Sequence, residues 1–167
     1  IDAFARVADQ APDFDLLMAG ADTGPWARAL HDRAVSLGIG SRVHWAGTVH
    51  GAVKFGALRE AEALVLPSHH ENFGMVVAES LACGTPVLLS NGVNIWREVV
   101  RAGAGLAAGH DGPGVHRLLH QWLALDTRTR AGMRMRASAA FRRLFDIDRV
   151  APRLIETISP HLRSTLH

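Results

Sequence analysis

Residues 64–98 read LVLPSHHENFGMVVAESLACGTPVLLSNGVNIWRE, and their order predicts a strand, a polar loop, a helix and a second strand. Ala63–Pro67 is a short apolar run stopped by Pro67 and Ser68, the pattern of a buried parallel strand feeding a loop at its carboxyl end. His69–Gly74 is polar and tight. From Met75 to Ala82 the residues Met75, Val76, Ala78, Leu81 and Ala82 recur at helical spacing, and Gly84 with Pro86 closes the helix. Val87–Leu89 is the next strand.

Such a strand, loop and helix leave unpaired backbone N–H groups at the positive end of a helix dipole, which makes an anion site. Gly74 lets the backbone approach a ligand, because no Cβ intervenes. Glu71 lies before the helix and Glu79 inside it, with seven residues between them. Glu79 falls about one turn in, at roughly 1.5 Å of rise per residue, so both carboxylates are within reach of one nucleotide-sized ligand. Carboxylates beside an anion site suit hydroxyls, which they hold by charge-assisted hydrogen bonds. The chemistry indicated is a phosphate with sugar hydroxyls on either side.

The string Pro67-Ser68-x-x-Glu71-x-Phe73-Gly74, followed by Glu79-Ser80-Leu81-Ala82-x-Gly84-x-Pro86-Val87, resembles the donor-binding segment of retaining glycosyltransferases of the GT-B fold, family 4. About a dozen ordered positions agree, where a bare pair of glutamates carries little. The resemblance implies that Glu71 is the candidate catalytic residue, contacting hydroxyls of the transferred sugar, and that Glu79 holds the ribose hydroxyls. It implies that backbone groups from Asn72 and Phe73 through Gly74, Met75 and Val76 bind the donor diphosphate. It also implies that the Gly47-Thr48-Val49 loop meets the base, with Val49 as its donor contact, and that His69 or His70 lines the sugar pocket, with His70 as the candidate donor contact. The substrate implied is a nucleotide-diphosphate sugar, with no cofactor besides. The resemblance further leads one to expect, ahead of Ile1, a first strand, an Arg and Lys pair against the diphosphate, and an amino-terminal domain for a sugar, lipid-linked or other acceptor. Residues 1–167 then read as the carboxyl-terminal donor-binding domain of a two-domain enzyme. The alternative is a non-catalytic nucleotide-sugar-binding module or regulatory remnant.

At 167 residues the chain has the length of one domain, and 48% hydrophobic residues with 16 glycines suit a compact α/β fold. The sequence has no apolar run long enough to span a membrane and no signal peptide, so a cytoplasmic location is the expectation. Cys83 is the single cysteine, which excludes an internal disulfide and reads as a packing thiol. Lys54 is the only lysine among 18 basic residues, and eight arginines fall between Arg128 and Arg153. That basic region has two readings, a solvated helix face or a peripheral contact with the inner face of a membrane. With no tyrosine and with Phe141 and Phe145 at core-like positions, the stacking surface of a nucleic-acid binder is missing.

Along the chain, helices are predicted over Asp2–Ala11, Trp26–Leu37, Val53–Glu62, Pro113–Leu125 and Thr129–Leu144, with Asp148 capping a last helix whose first turn or so holds Pro152. Strands are predicted over Phe14–Ala19, Arg42–Trp45 and Gly105–Ala108. This alternation predicts a three-layer, Rossmann-like open parallel sheet with carboxyl-terminal helices, binding its ligand outside the carboxyl ends of the strands. The segment DLLMAGADTG lacks both G-x-G-x-x-G and a Walker lysine. His69-His70-Glu71 alternates sides in an extended segment, so it does not converge on a metal, and no metal site is expected. Glu98 reads as structural.

Overall fold

The computed structural model describes residues 1–164. In chain order its elements are α1 (Asp2–Ala5), β1 (Leu16–Ala19), α2 (Gly24–Ser36), β2 (Val43–Gly47), α3 (Gly51–Glu60), β3 (Leu64–Leu66) and α4 (Met75–Ala82). There follow β4 (Val87–Ser90), α5 (Trp96–Arg101), β5 (Gly105–Ala108), α6 (Gly112–Ala124), α7 (Thr127–Leu144) and α8 (Ile147–Ser164). All strand pairings are parallel, and the chain is an α/β fold with helices on both faces of its strands.

The strands form two ladders, β1–β2 and β3–β4–β5, where the sequence pattern predicts one open sheet. β4 is the centre of the larger ladder and is buried along its whole length. Its period-2 alternation sends Val87 and Leu89 into a cluster with Val77 and Leu81 of α4 and Ala137 and Ala140 of α7. Leu88 points the opposite way, into a cluster with Trp122 of α6 and Met133 of α7. β1 alternates between half-buried and exposed, and β3 is half-buried throughout, as befits strands at ladder edges. Helix α6 links the two ladders: Leu119 and Leu123 pack both on the Leu88 cluster and on the cluster of Phe4, Val7 and Val43.

Most elements match the predicted ones to within two residues, and the departures have local causes. The first helix stops at Ala5 and resumes only as a 3-10 turn at Ala8–Gln10. Arg42 ties down the turns that follow, donating to the carbonyls of Ala8 at 2.8 Å and Ala11 at 2.6 Å and also to that of Phe14. The carbonyls of Ala8 and Ala11 also accept from the amides of Ala11 and Phe14, both at 3.1 Å, so this stretch is a succession of tight turns. At α8 the cap is Asp146, whose carboxylate accepts from Asp148 N at 3.1 Å, so Asp148 sits inside the first turn and Pro152 in the second. Asp126 caps α7, and the hydrogen bond from the Thr129 amide, at 2.6 Å, holds its carboxyl below the usual carboxylate range.

Helix α7 carries many of the chain's arginines, and three of them bind inward. Arg134 donates to Arg59 O and Ala61 O at the end of α3, at 2.8 and 2.7 Å. Arg136 donates to Gly103 O just past α5, at 2.8 Å, and Arg130 to Leu123 O at the end of α6, at 3.0 Å. Each guanidinium thus meets carbonyls in or just past the last turn of a helix, at the negative end of its dipole. At these three positions the guanidinium also clamps the fold.

Candidate functional site

The site is built where the loops at the carboxyl ends of β2, β3 and β4 meet the first turns of α3 and α4. Helix α4 begins after Gly74, which has φ +70°, the left-handed region that side chains with a Cβ rarely adopt. A Cβ there would also stand 3.1 Å from Val77 and 3.4 Å from the Glu71 side chain. With Val77 N donating to Gly74 O at 2.8 Å, the first-turn amides of Met75 and Val76 have no carbonyl one turn behind them. Phe73 and Met75 are exposed beside those amides, at 40% and 66%.

Glu71 is held by its backbone. Its N–H donates to Gly92 O and its carbonyl accepts from Asn94 N, both at 3.0 Å, forming an isolated parallel bridge with Val93. Ser90 Oγ donates to Ser68 O in the same stitch, and Val93 is fully buried. The two loops run so close at Gly92 that an added Cβ would lie 2.4 Å from His69 O and 2.6 Å from Ser68 O. The Glu71 carboxylate then turns to the helix start, where Oε1 accepts from Gly74 N at 3.2 Å. A carboxylate oxygen at that amide occupies the kind of position a phosphate oxygen would take.

Glu79 is half-buried one turn along α4, and its Oε1 accepts from Lys54 Nζ of α3 at 2.6 Å. Helix α3 starts directly after the loop carrying Val49 and His50, and Lys54 N donates to His50 O at 3.3 Å. The predicted base loop and Glu79 are therefore joined through one turn of α3. Behind Glu79 lies a cavity of about 380 Å³ whose walls include Phe55, Phe73, Met75, Phe141, Phe145 and Ile147. Phe73 meets Phe145 edge-on, with ring centroids 5.5 Å apart.

The structure thus brings Glu71, Asn72, Phe73, Gly74, Met75, Val76 and Glu79 onto one loop–helix unit, with Val49 on the neighbouring loop. His70 is exposed, and His69 packs its ring against His110, 4.7 Å between centroids. Glu98 lies in the first turn of α5. Among the described residues no group of three or more His, Cys, Asp or Glu side chains is arranged to hold a metal ion, and no helix is long and apolar enough to cross a membrane. Sequence reasoning missed Lys54 and Gly92. Lys54 carries one faint signal, being the sole lysine of the chain, and Gly92 carries one too, a glycine just past a strand end.

A family model described as "Glycosyl transferases group 1" matches residues 1–136. The chain belongs to this family. The domain is 34% identical over 108 residues to the GDP-mannose-dependent alpha-(1-6)-phosphatidylinositol dimannoside mannosyltransferase of Mycobacterium tuberculosis, covering 65% of this chain and 27% of that protein. It is 39% identical over 101 residues to the D-inositol 3-phosphate glycosyltransferase of Thermobifida fusca, covering 59% of this chain and 23% of the relative. The chain therefore spans about a quarter of the length of the curated relatives it matches. Among solved structures, HepE of Anabaena in complex with UDP superposes with a TM-score of 0.79 at 21% identity, covering 95% of this chain and 43% of that one. Sucrose-phosphate synthase of Thermosynechococcus elongatus superposes with a TM-score of 0.75 at 24% identity, covering 98% and 42%. These two likenesses establish the fold, an α/β fold shared with glycosyltransferase structures.

Proposed function

We propose that this chain is the nucleotide-sugar-binding half of a retaining glycosyltransferase of the GT-B fold, family 4, with the acceptor bound by a further domain. The observation that carries this reading is the loop–helix unit at α4, where Glu71 and Glu79 flank unsatisfied first-turn amides. In this reading the amides around Phe73 to Val76 and the α4 dipole take the donor diphosphate. They stabilise the charge that builds on it as the anomeric carbon becomes cation-like and the glycosidic bond to phosphate breaks. Glu71 leaves Gly74 N to the phosphate and accepts from hydroxyls of the transferred sugar. Glu79 accepts from the ribose, the Val49 loop meets the base through its main chain, and His70 borders the sugar. The acceptor oxygen approaches the face that the diphosphate leaves, so the anomeric configuration is retained with no protein nucleophile.

The family membership supports the reaction class, and the HepE complexes with UDP and with UDP-glucose support a nucleotide-sugar ligand for this fold. No cofactor beyond the donor is assigned. The test is calorimetric titration of UDP, GDP and their hexose derivatives into the wild-type chain and into Glu79→Ala. A nucleotide diphosphate is expected to bind, and the substitution is expected to weaken it by about tenfold or more, the scale of a charge-assisted hydrogen bond. Absence of binding by every nucleotide removes the reading, and an unchanged affinity in Glu79→Ala removes the role given to that residue.

A further inference from the structure

Lys54 is the only lysine of the chain, and its ammonium makes a 2.6 Å ion pair with Glu79. The pair is not an open surface bridge: the two side chains are 30% and 23% exposed, so solvent screens them only in part. The lysine ammonium lies 5.0 Å from the centroid of the Phe55 ring, and Phe55 shares the cavity wall with Glu79. Helix α3 is itself tied to the end of α4, through Thr85 Oγ1 donating to Leu58 O and Cys83 Sγ to Phe55 O. Helix α3 is therefore held against the end of α4, and from it Nζ holds one oxygen of Glu79.

We infer that Lys54 is a positioning residue that makes the site selective for a ribose-bearing nucleotide, an inference that rests on the donor-binding reading above. A free glutamate side chain has three rotatable torsions and presents its carboxylate in many orientations. Pinning Oε1 to a placed ammonium removes most of that freedom before the ligand arrives. Among the described residues Oε2 has no hydrogen-bond partner, which leaves it to accept from one ribose hydroxyl. The ammonium has three N–H donors, and Glu79 uses one. A second is available to the oxygen of the neighbouring hydroxyl, so that the two side chains together recognise a vicinal diol. A nucleotide without those hydroxyls leaves both groups unpaired in a half-buried site, and that penalty is the source of discrimination.

The test compares UDP and GDP with their 2′,3′-dideoxy counterparts, by titration into wild type, Lys54→Met, Lys54→Arg and Glu79→Ala, with the thermal midpoint of each variant recorded. Wild type is expected to prefer the ribonucleotide by about tenfold or more. Lys54→Met is expected to cut that ratio to about threefold or less by weakening the ribonucleotide alone, while Lys54→Arg restores part of it. A ratio unchanged in Lys54→Met overturns the inference. So does an equal loss for both nucleotides, because that is the mark of a lysine acting on phosphate charge or on the fold. If wild type discriminates, Glu79→Ala abolishes the discrimination and Lys54→Met does not, the Lys54 role fails and the donor-binding reading stands. If wild type binds none of the four, both fall together.

Discussion

Glu71 and Gly92 form a unit at the scale of single residues. The catalytic candidate is positioned by its backbone, which is bracketed by Gly92 O and Asn94 N, and its side chain is left to choose between the Gly74 amide and a ligand. Gly92→Ala drives a Cβ against two backbone carbonyls that cannot rotate aside as a side chain would. The loops must separate, at a cost of about 1–3 kcal/mol, in the range of overpacked sites. The expected outcome is a lower melting temperature together with a several-fold loss of nucleotide affinity, since Glu71 moves with the loop. Gly112→Ala is the control: a Cβ there meets nothing within 4 Å, and the same two measurements should stay at wild-type values. The places of Glu71, Gly74 and Glu79 are all legible in the sequence, because they follow from the local order of strand, loop and helix. That of Gly92 is not, because its need for a bare Cα comes from a loop more than twenty positions earlier in the chain.

At the scale of elements, α7 gives three arginines of the basic stretch a structural role that composition alone does not show. Arg130, Arg134 and Arg136 close the carbonyl ends of α6, α3 and α5, so one helix holds the exits of three others. Arg134→Ala is expected to destabilise the chain by about 1–2 kcal/mol in urea unfolding, the value of hydrogen bonds from a charged donor discounted for partial exposure. Arg142→Ala, at an exposed position of the same helix, should change stability by less than about 0.5 kcal/mol. Equal effects from the two would show that α7 contributes only charge. The elements themselves were largely legible, as Met75–Ala82 and Gly105–Ala108 illustrate, because apolar spacing and Gly or Pro stops are local properties. The first helix is shorter than its apolar spacing predicts, and the turns that replace its second half are held by Arg42, which lies beyond β1.

At the scale of the whole molecule, two ladders are joined by the apolar face of α6. Leu119 contributes to both the Phe4–Val43 cluster and the Leu88 cluster. Leu119→Ala is therefore expected to cost about 2 kcal/mol and to lower amide-exchange protection in β1–β2 and in β3–β4–β5 together. Loss of protection confined to one ladder would mean that the two halves open independently. The joint also matters for the site, since the Val49 loop leaves the first ladder and Glu71 leaves the second.

The order of strands and helices, the left-handed turn at Gly74 that starts α4 and the place of Glu71 and Glu79 on one loop–helix unit follow from residues a few positions apart, whose spacing sets backbone geometry directly. The ion pair of Lys54 with Glu79, 25 residues on, and the clamp of Arg134 on Ala61, 73 residues back, have no such local signature. Each depends on which helices pack side by side. The split into two ladders is of the same kind, because apolar alternation makes a strand but hydrogen-bond partners come from the packing of helices such as α6 across its faces.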